Sequence, residues 1–160
     1  MSLGVLPVAA SAARPSLRAC TARDLRPLGG ELQGATGSML GFVLFRNVSP
    51  GACALGGRPA VQLLTRAGKL LPTRERALTT SAIGGKPVRS VAAGRRAALF
   101  LQWSNWCGPW PTTVAGFRPL RLRVTLTTGT RLSAPFRSGR PRCDVKAVST
   151  LGVSAFAAPT

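Results

Sequence analysis

Cys107 stands in the stretch Asn105-Trp106-Cys107-Gly108-Pro109-Trp110-Pro111, and the composition leaves it as a leading candidate for chemistry. The chain has no histidine and no tyrosine, which excludes imidazole acid–base catalysis and imidazole metal sites. Its four acids, Asp24, Glu31, Glu75 and Asp144, are scattered singly. That argues against a paired-carboxylate mechanism and against a carboxylate-rich Mg²⁺ or Ca²⁺ site. Cysteine, serine, threonine and the basic groups remain.

Cys20, Cys53, Cys107 and Cys143 are even in number but widely spaced. Without a C-x₂-C pair no zinc site is expected, and no cofactor is implied. The spacing does not resemble a compact disulfide scaffold, which favours a reducing compartment or a single functional thiol. Cys107 can be read as a reactive thiol or as a buried core cysteine, and the residues alone leave both open.

The formal charge of +18 points towards nucleic acid or another anionic surface. Arginine, however, supplies 19 of the 22 basic residues, and Ala, Gly, Pro and Arg dominate the composition. These are the residues of GC-rich codons. The arginines run from Arg14 to Arg142 and cluster only at Arg95-Arg96 and Arg137-Arg140-Arg142. Coding bias or a solvated surface explains that spread, and non-specific polyanion binding would follow from the charge alone.

Residues 1–40 read as an Ala/Ser/Arg-rich arm, either disordered or transit-peptide-like, and residues 41–160 as the folded domain. "VQLLTRAGKLLPT" (61–73) predicts a β-hairpin turning at Arg66–Lys69. Ala97–Trp103 is a continuous apolar run, the pattern of a buried strand in a parallel or mixed sheet. In "LRLRVTLTT", Leu120, Leu122, Val124 and Leu126 alternate with Arg121, Arg123, Thr125 and Thr127, which predicts a half-buried strand. The C-terminal segment predicts a short helical turn followed by extended Gly152–Phe156. With 18 Gly and 13 Pro, long amphipathic helices are not expected. The apolar runs are also far short of the roughly 20 residues of a membrane span.

An apolar strand running into Trp-Ser-Asn-Trp-Cys-Gly-Pro resembles the thioredoxin superfamily, and further segments in order are similar to its tryparedoxin and nucleoredoxin branch. These are Leu63–Thr73, Ile83–Val88, "LRVTLTT", Leu132–Phe136 and Leu151–Thr160. The resemblance implies an α/β fold, a thioredoxin-like mixed sheet with few short helices, incomplete at its C-terminus. It implies that Cys107 is the catalytic nucleophile at a helix N-terminus, where amide dipoles lower a thiol pKa. Trp106, Gly108, Pro109 and Trp110 would surround it on the substrate side. Pro159 would follow a cis peptide bond and lie against the cysteine. The family's resolving cysteine is Trp110 here, so exchange would run by a monothiol route and stall at a mixed disulfide unless another thiol released it.

The expected partners are thiol or disulfide proteins and low-molecular-weight thiols, with nucleic acid bound only non-specifically and no membrane span. The expected location is mitochondrial or cytoplasmic. A degenerate, non-enzymatic paralogue or truncated gene product is the alternative reading. A non-specific basic nucleic-acid-binding protein is a further one.

Overall fold

The computed structural model describes residues 16–79, 85–110 and 116–159. The strands are β1 (Leu25–Ala35), β2 (Ser38–Asn47), β3 (Cys53–Ala54), β4 (Ala60–Thr65), β5 (Leu70–Leu71), β6 (Arg74–Ala77), β7 (Ser90–Val91), β8 (Arg96–Ser104), β9 (Arg118–Thr125), β10 (Arg131–Ser138) and β11 (Thr150–Ala157). Among the described residues there is no helix. Nine strands form one sheet in the order β5-β4-β9-β10-β1-β2-β8-β11-β6, and β3 pairs with β7. Most neighbours are antiparallel, but β1 runs parallel to β10 and β11 parallel to β6.

The α/β thioredoxin-like expectation is overturned: the protein is all-β, a curled half-barrel. The reason lies in the connections. Thr36 and Gly37, both at positive φ (45° and 84°), join β1 to β2 in a two-residue turn of the kind that matches strand twist. The β9–β10 turn closes with the Leu126 N–H donating to the Thr130 carbonyl at 2.8 Å. Links this short make hairpins, whereas a crossover helix needs a dozen or more residues. Residues 106–110, which the resemblance places at a helix start, are irregular. Residues 111–115 lie outside the described residues.

Curling is written into the topology. β5 and β6 are the opposite ends of the sheet order, yet only Pro72 and Thr73 separate them in sequence. The two ends must therefore meet. They meet through a side chain: Glu75 on β6 accepts the Val61 N–H of β4 at 2.5 Å and an Arg58 Nη1 hydrogen bond at 2.6 Å. Tight coiling of β1 on β2 needs glycine at two points. A Cβ on Gly30 would fall 2.0 Å from the Phe42 carbonyl oxygen, and one on Gly41 2.0 Å from that of Glu31. A side chain at either position would wedge the strands apart.

Several local expectations are realised in this different architecture. Leu63 pairs with Leu71 in the predicted hairpin. Ala97–Trp103 lies within β8, an interior strand antiparallel to both β2 and β11. Leu120, Leu122 and Val124 point inward from β9 while Arg121 and Arg123 point out. The expected helical turn before the last strand is a simple turn, Ala147 N–H to Asp144 carbonyl. β11 itself is an interior strand. Of the expected N-terminal arm, residues 1–15 lie outside the described residues, whereas Cys20, β1 and the start of β2 are part of the β-structure.

The concave side carries the core. Val43, Phe45, Leu99, Trp103, Leu122 and Phe156 are almost fully buried, and each such side chain contributes on the order of 1.5–3 kcal/mol by leaving water. Trp103 meets its polar need by donating from Nε1 to Ser149 Oγ at 3.0 Å. At one end of the half-barrel the Cys20–Cys53 disulfide ties the N-terminal segment to β3. There the amide of the fully buried Asn47 donates to the Val91 and Gly51 carbonyls. Nearby, Arg18 donates to both Asp24 oxygens, at 2.7 and 2.8 Å, and the Thr21 N–H adds a third bond at 2.7 Å. Arg18 foremost, then the Thr21 amide, holds the Asp24 carboxyl well below the usual carboxylate range.

Candidate functional site

Cys107 was the first candidate, and its sulfur is bonded to that of Cys143. The pairing grows from Asn105, which adopts the left-handed conformation at φ 60° that asparagine tolerates better than most residues. Its Oδ1 accepts the Asp144 N–H at 2.6 Å, and its Nδ2 donates to the Asp144 carbonyl at 3.0 Å and to that of Ala147. The Trp106 N–H adds a bond to the Arg142 carbonyl at 3.3 Å. Cys143 is thereby delivered beside Cys107. All four cysteines are in disulfides, so the single thiol expected at Cys107 is not free in this structure. Cys107 is also exposed, which removes the reading of it as a buried core cysteine.

Three of the residues around it pack at one tryptophan cluster. Trp106 is 7% exposed and packs its ring 5.7 Å from that of Trp103, while Trp110 meets Trp103 edge-on at 5.8 Å. Gly108 lies against the Trp106 ring so closely that a Cβ would stand 2.3 Å from Cζ2. Pro109 is exposed. Pro159 does not join them. It stands two residues beyond Ala157, which pairs with Ala98 near the start of β8, whereas Cys107 stands three residues beyond Ser104 at the other end. Six residues of strand put about 20 Å between the two ends. No cis peptide bond occurs among the described residues, the Ala158–Pro159 bond included.

A different cluster comes together on the convex side. Pro119, Arg121, Arg123 and Thr125 face outward from β9, and Arg131, Ser133, Pro135 and Arg137 from β10. The register sets Thr125 opposite Arg131, Arg123 opposite Ser133, Arg121 opposite Pro135 and Pro119 opposite Arg137. No arginine stands directly across from another, so four guanidinium groups share two strands without the cost of opposed like charges. Arg123 Nη1 donates to Gln62 on β4 at 3.2 Å. Arg137 lies 3.9 Å from Glu31 on β1, and its guanidinium sits 5.8 Å from the centre of the Phe117 ring. Arg66, from the β4–β5 turn, completes the cluster beside Arg121 and Arg137.

The acids cannot neutralise this face. Asp24 is paired with Arg18 and Glu75 with Arg58, and only Glu31 reaches the arginine cluster. In sequence these arginines are dispersed. Alternation in "LRLRVT" and "RLSAPFRS" carried the signal that Arg121, Arg123, Arg131 and Arg137 share outward faces, but their juxtaposition needed the β9–β10 register, and Arg66 needed the hairpin's position. Among the described residues no group of three or more cysteines and acids is placed to hold a metal ion.

Residues 20–157 match the model of a domain family described as a domain of unknown function, DUF4232. No curated protein and no solved structure matches the chain.

Proposed function

Because the chain belongs to the DUF4232 family, whose description assigns no activity, we propose a function from the surface itself: a non-enzymatic binding domain of an oxidising compartment that holds an acidic glycan across β9 and β10. The carrying observation is the alternation of four outward arginines with Pro, Ser and Thr on two adjacent strands. The exposed cluster attracts phosphate or sulfate groups along a chain, and guanidinium pairs with such oxyanions bidentately.

Two disulfides support the compartment, since bridges of this kind persist where no thiol pool reduces them. An oxidising compartment takes the place, in this reading, of the reducing one expected from cysteine spacing. The choice of glycan over nucleic acid rests on the arginine face itself, where Gln62, Ser133 and the two prolines lie between the charges and no row of aromatic rings is available for base stacking.

Retention on heparin and on single-stranded DNA, measured over a salt gradient, tests the reading. The comparison is between the wild type, the variant R121Q/R123Q/R131Q/R137Q and a control of equal charge, R23Q/R89Q/R95Q/R96Q. The first variant should elute from heparin at clearly lower salt than the control. Equal elution of the two variants, or wild-type retention on DNA as strong as on heparin, would reduce the interaction to net charge and end the proposal.

A further inference from the structure

Deepening that reading, and resting on it, we propose that the depression between Arg66, Arg121 and Arg137 is a discrete pocket for one tetrahedral oxyanion, a phosphate or sulfate group of the bound glycan. On β9 and β10 the register makes a small checkerboard, with Arg121 and Arg137 on one diagonal and Pro119 and Pro135 on the other. Diagonal positions lie about 7–8 Å apart at the backbone. Two long guanidinium side chains therefore flank a low floor made by two compact rings. Gly29 and Gly30 form a third side with no side chain at all, and Arg66 reaches in from the hairpin turn. The depression is shallow and open to solvent, with a volume of about 310 Å³, far more than a single water needs. One hydrated oxyanion and part of its linkage fit this space.

Three arginines that line one depression from separate elements suit a tetrahedral oxyanion, which offers oxygens in several directions. A planar carboxylate is satisfied by one bidentate partner. Arg137 already has a competitor beside it. Glu31 stands across the β1–β10 pair from Arg137, with its Oε2 3.9 Å from Nη1. This half-exposed carboxylate pairs only weakly with the arginine, and an incoming dianion must displace it and tolerate its charge. Glu31 therefore sets the affinity of the pocket downward, and its neutralisation should tighten binding.

The test titrates the ¹⁵N-labelled protein with inorganic sulfate and with inorganic phosphate at constant ionic strength, chloride being the replaced ion. Arginine Nε–H signals are followed. The proposal expects saturable shifts confined to Arg66, Arg121 and Arg137 and their neighbours. It also expects at least tenfold weaker binding in R121Q/R137Q, unchanged binding in R95Q/R96Q, and severalfold tighter binding in E31Q. Linear, non-saturating shifts over the whole surface, or equal losses in the two double variants, would overturn it. Heparin retention of the same samples separates the two readings. Retention without a saturable site removes the pocket and leaves the glycan-binding face, whereas loss of face-specific retention removes both.

Discussion

Glu75 Oε2 accepts the backbone N–H of Val61 at 2.5 Å, and through that bond the last strand of the sheet, β6, is fastened to β4 near the first. Val61 is buried, and the Arg58 guanidinium donates to the other carboxylate oxygen. The carboxylate thus does at the open seam of the half-barrel what a ladder of backbone bonds does elsewhere. Replacing it with alanine strands the Val61 N–H, a loss worth about 1–3 kcal/mol when the group stays away from water. E75A should lower the denaturant midpoint accordingly and speed hydrogen exchange at the Val61 amide. E75Q, which keeps an acceptor oxygen, should lose less than half as much. Equal losses would mean that the Arg58 charge pair, and not the amide bond, holds the seam.

The two disulfides occupy different environments. Cys20 and Cys53 are buried to 1% and 0% exposure, while Cys107 and Cys143 are exposed. A reductant reaches the second pair in the folded protein and the first only after opening. Mild thiol treatment followed by mass-tagging should therefore label Cys107 and Cys143 well before the other two. Closing loops of 33 and 36 residues stabilises the fold by about 3–4 kcal/mol each in the chain-entropy account. C107S/C143S should cost on that order by denaturant unfolding. A negligible cost would mean that the Asn105 hydrogen bonds already hold the loop.

Much of the local structure was legible, and the architecture was not. The hairpin at Arg66–Lys69 and the alternation from Leu120 to Leu126 depend on turn residues and period-two spacing, both local signals. Trp-Cys-Gly-Pro was also local, and there it misled. Four residues carry a family's motif only if a helix follows, and here Pro109, Pro111 and Gly116 oppose one. Cys107 finds Cys143 because Asn105 grips the Asp144–Ala147 turn, a contact that spans 39 residues and leaves no mark in cysteine spacing. The arginine cluster is invisible for the same reason: Arg66, Arg121 and Arg137 come from three separate elements.

Acid sensitivity should concentrate at Asp24. Its folded pKa lies below the unfolded value of about 3.9, because Arg18 and the Thr21 amide bond the ionised form. A depressed carboxylate stabilises the fold fully above its unfolded pKa, and that contribution fades as pH falls towards the folded value. D24N should therefore be less stable than wild type at pH 6, with the gap narrowing steadily below pH 4. Denaturant midpoints of the two proteins across pH 2–7 check this. A constant gap would assign the cost of D24N to lost packing and not to ionisation.

Gly108 offers the sharpest test of what the Trp-Cys-Gly-Pro stretch is for. A methyl group there would meet Trp106 Cζ2 at 2.3 Å and Cε2 at 2.7 Å, and that ring is itself pressed between Gly108 and Trp103. The far end of a flexible chain could swing away, but an indole with 7% exposure can yield only by pushing its packed neighbours aside. Overpacking of this kind costs typically 1–3 kcal/mol. G108A should therefore destabilise the protein by about that amount and change the tryptophan emission. The Cys107–Cys143 bridge should still form, because the Asn105 contacts that bring the cysteines together precede the glycine. Saturable sulfate binding at Arg121 and Arg137 should also survive, since those arginines stand on strands away from the clash. Loss of anion binding in a folded, disulfide-bonded G108A would instead tie the tryptophan cluster to the arginine face.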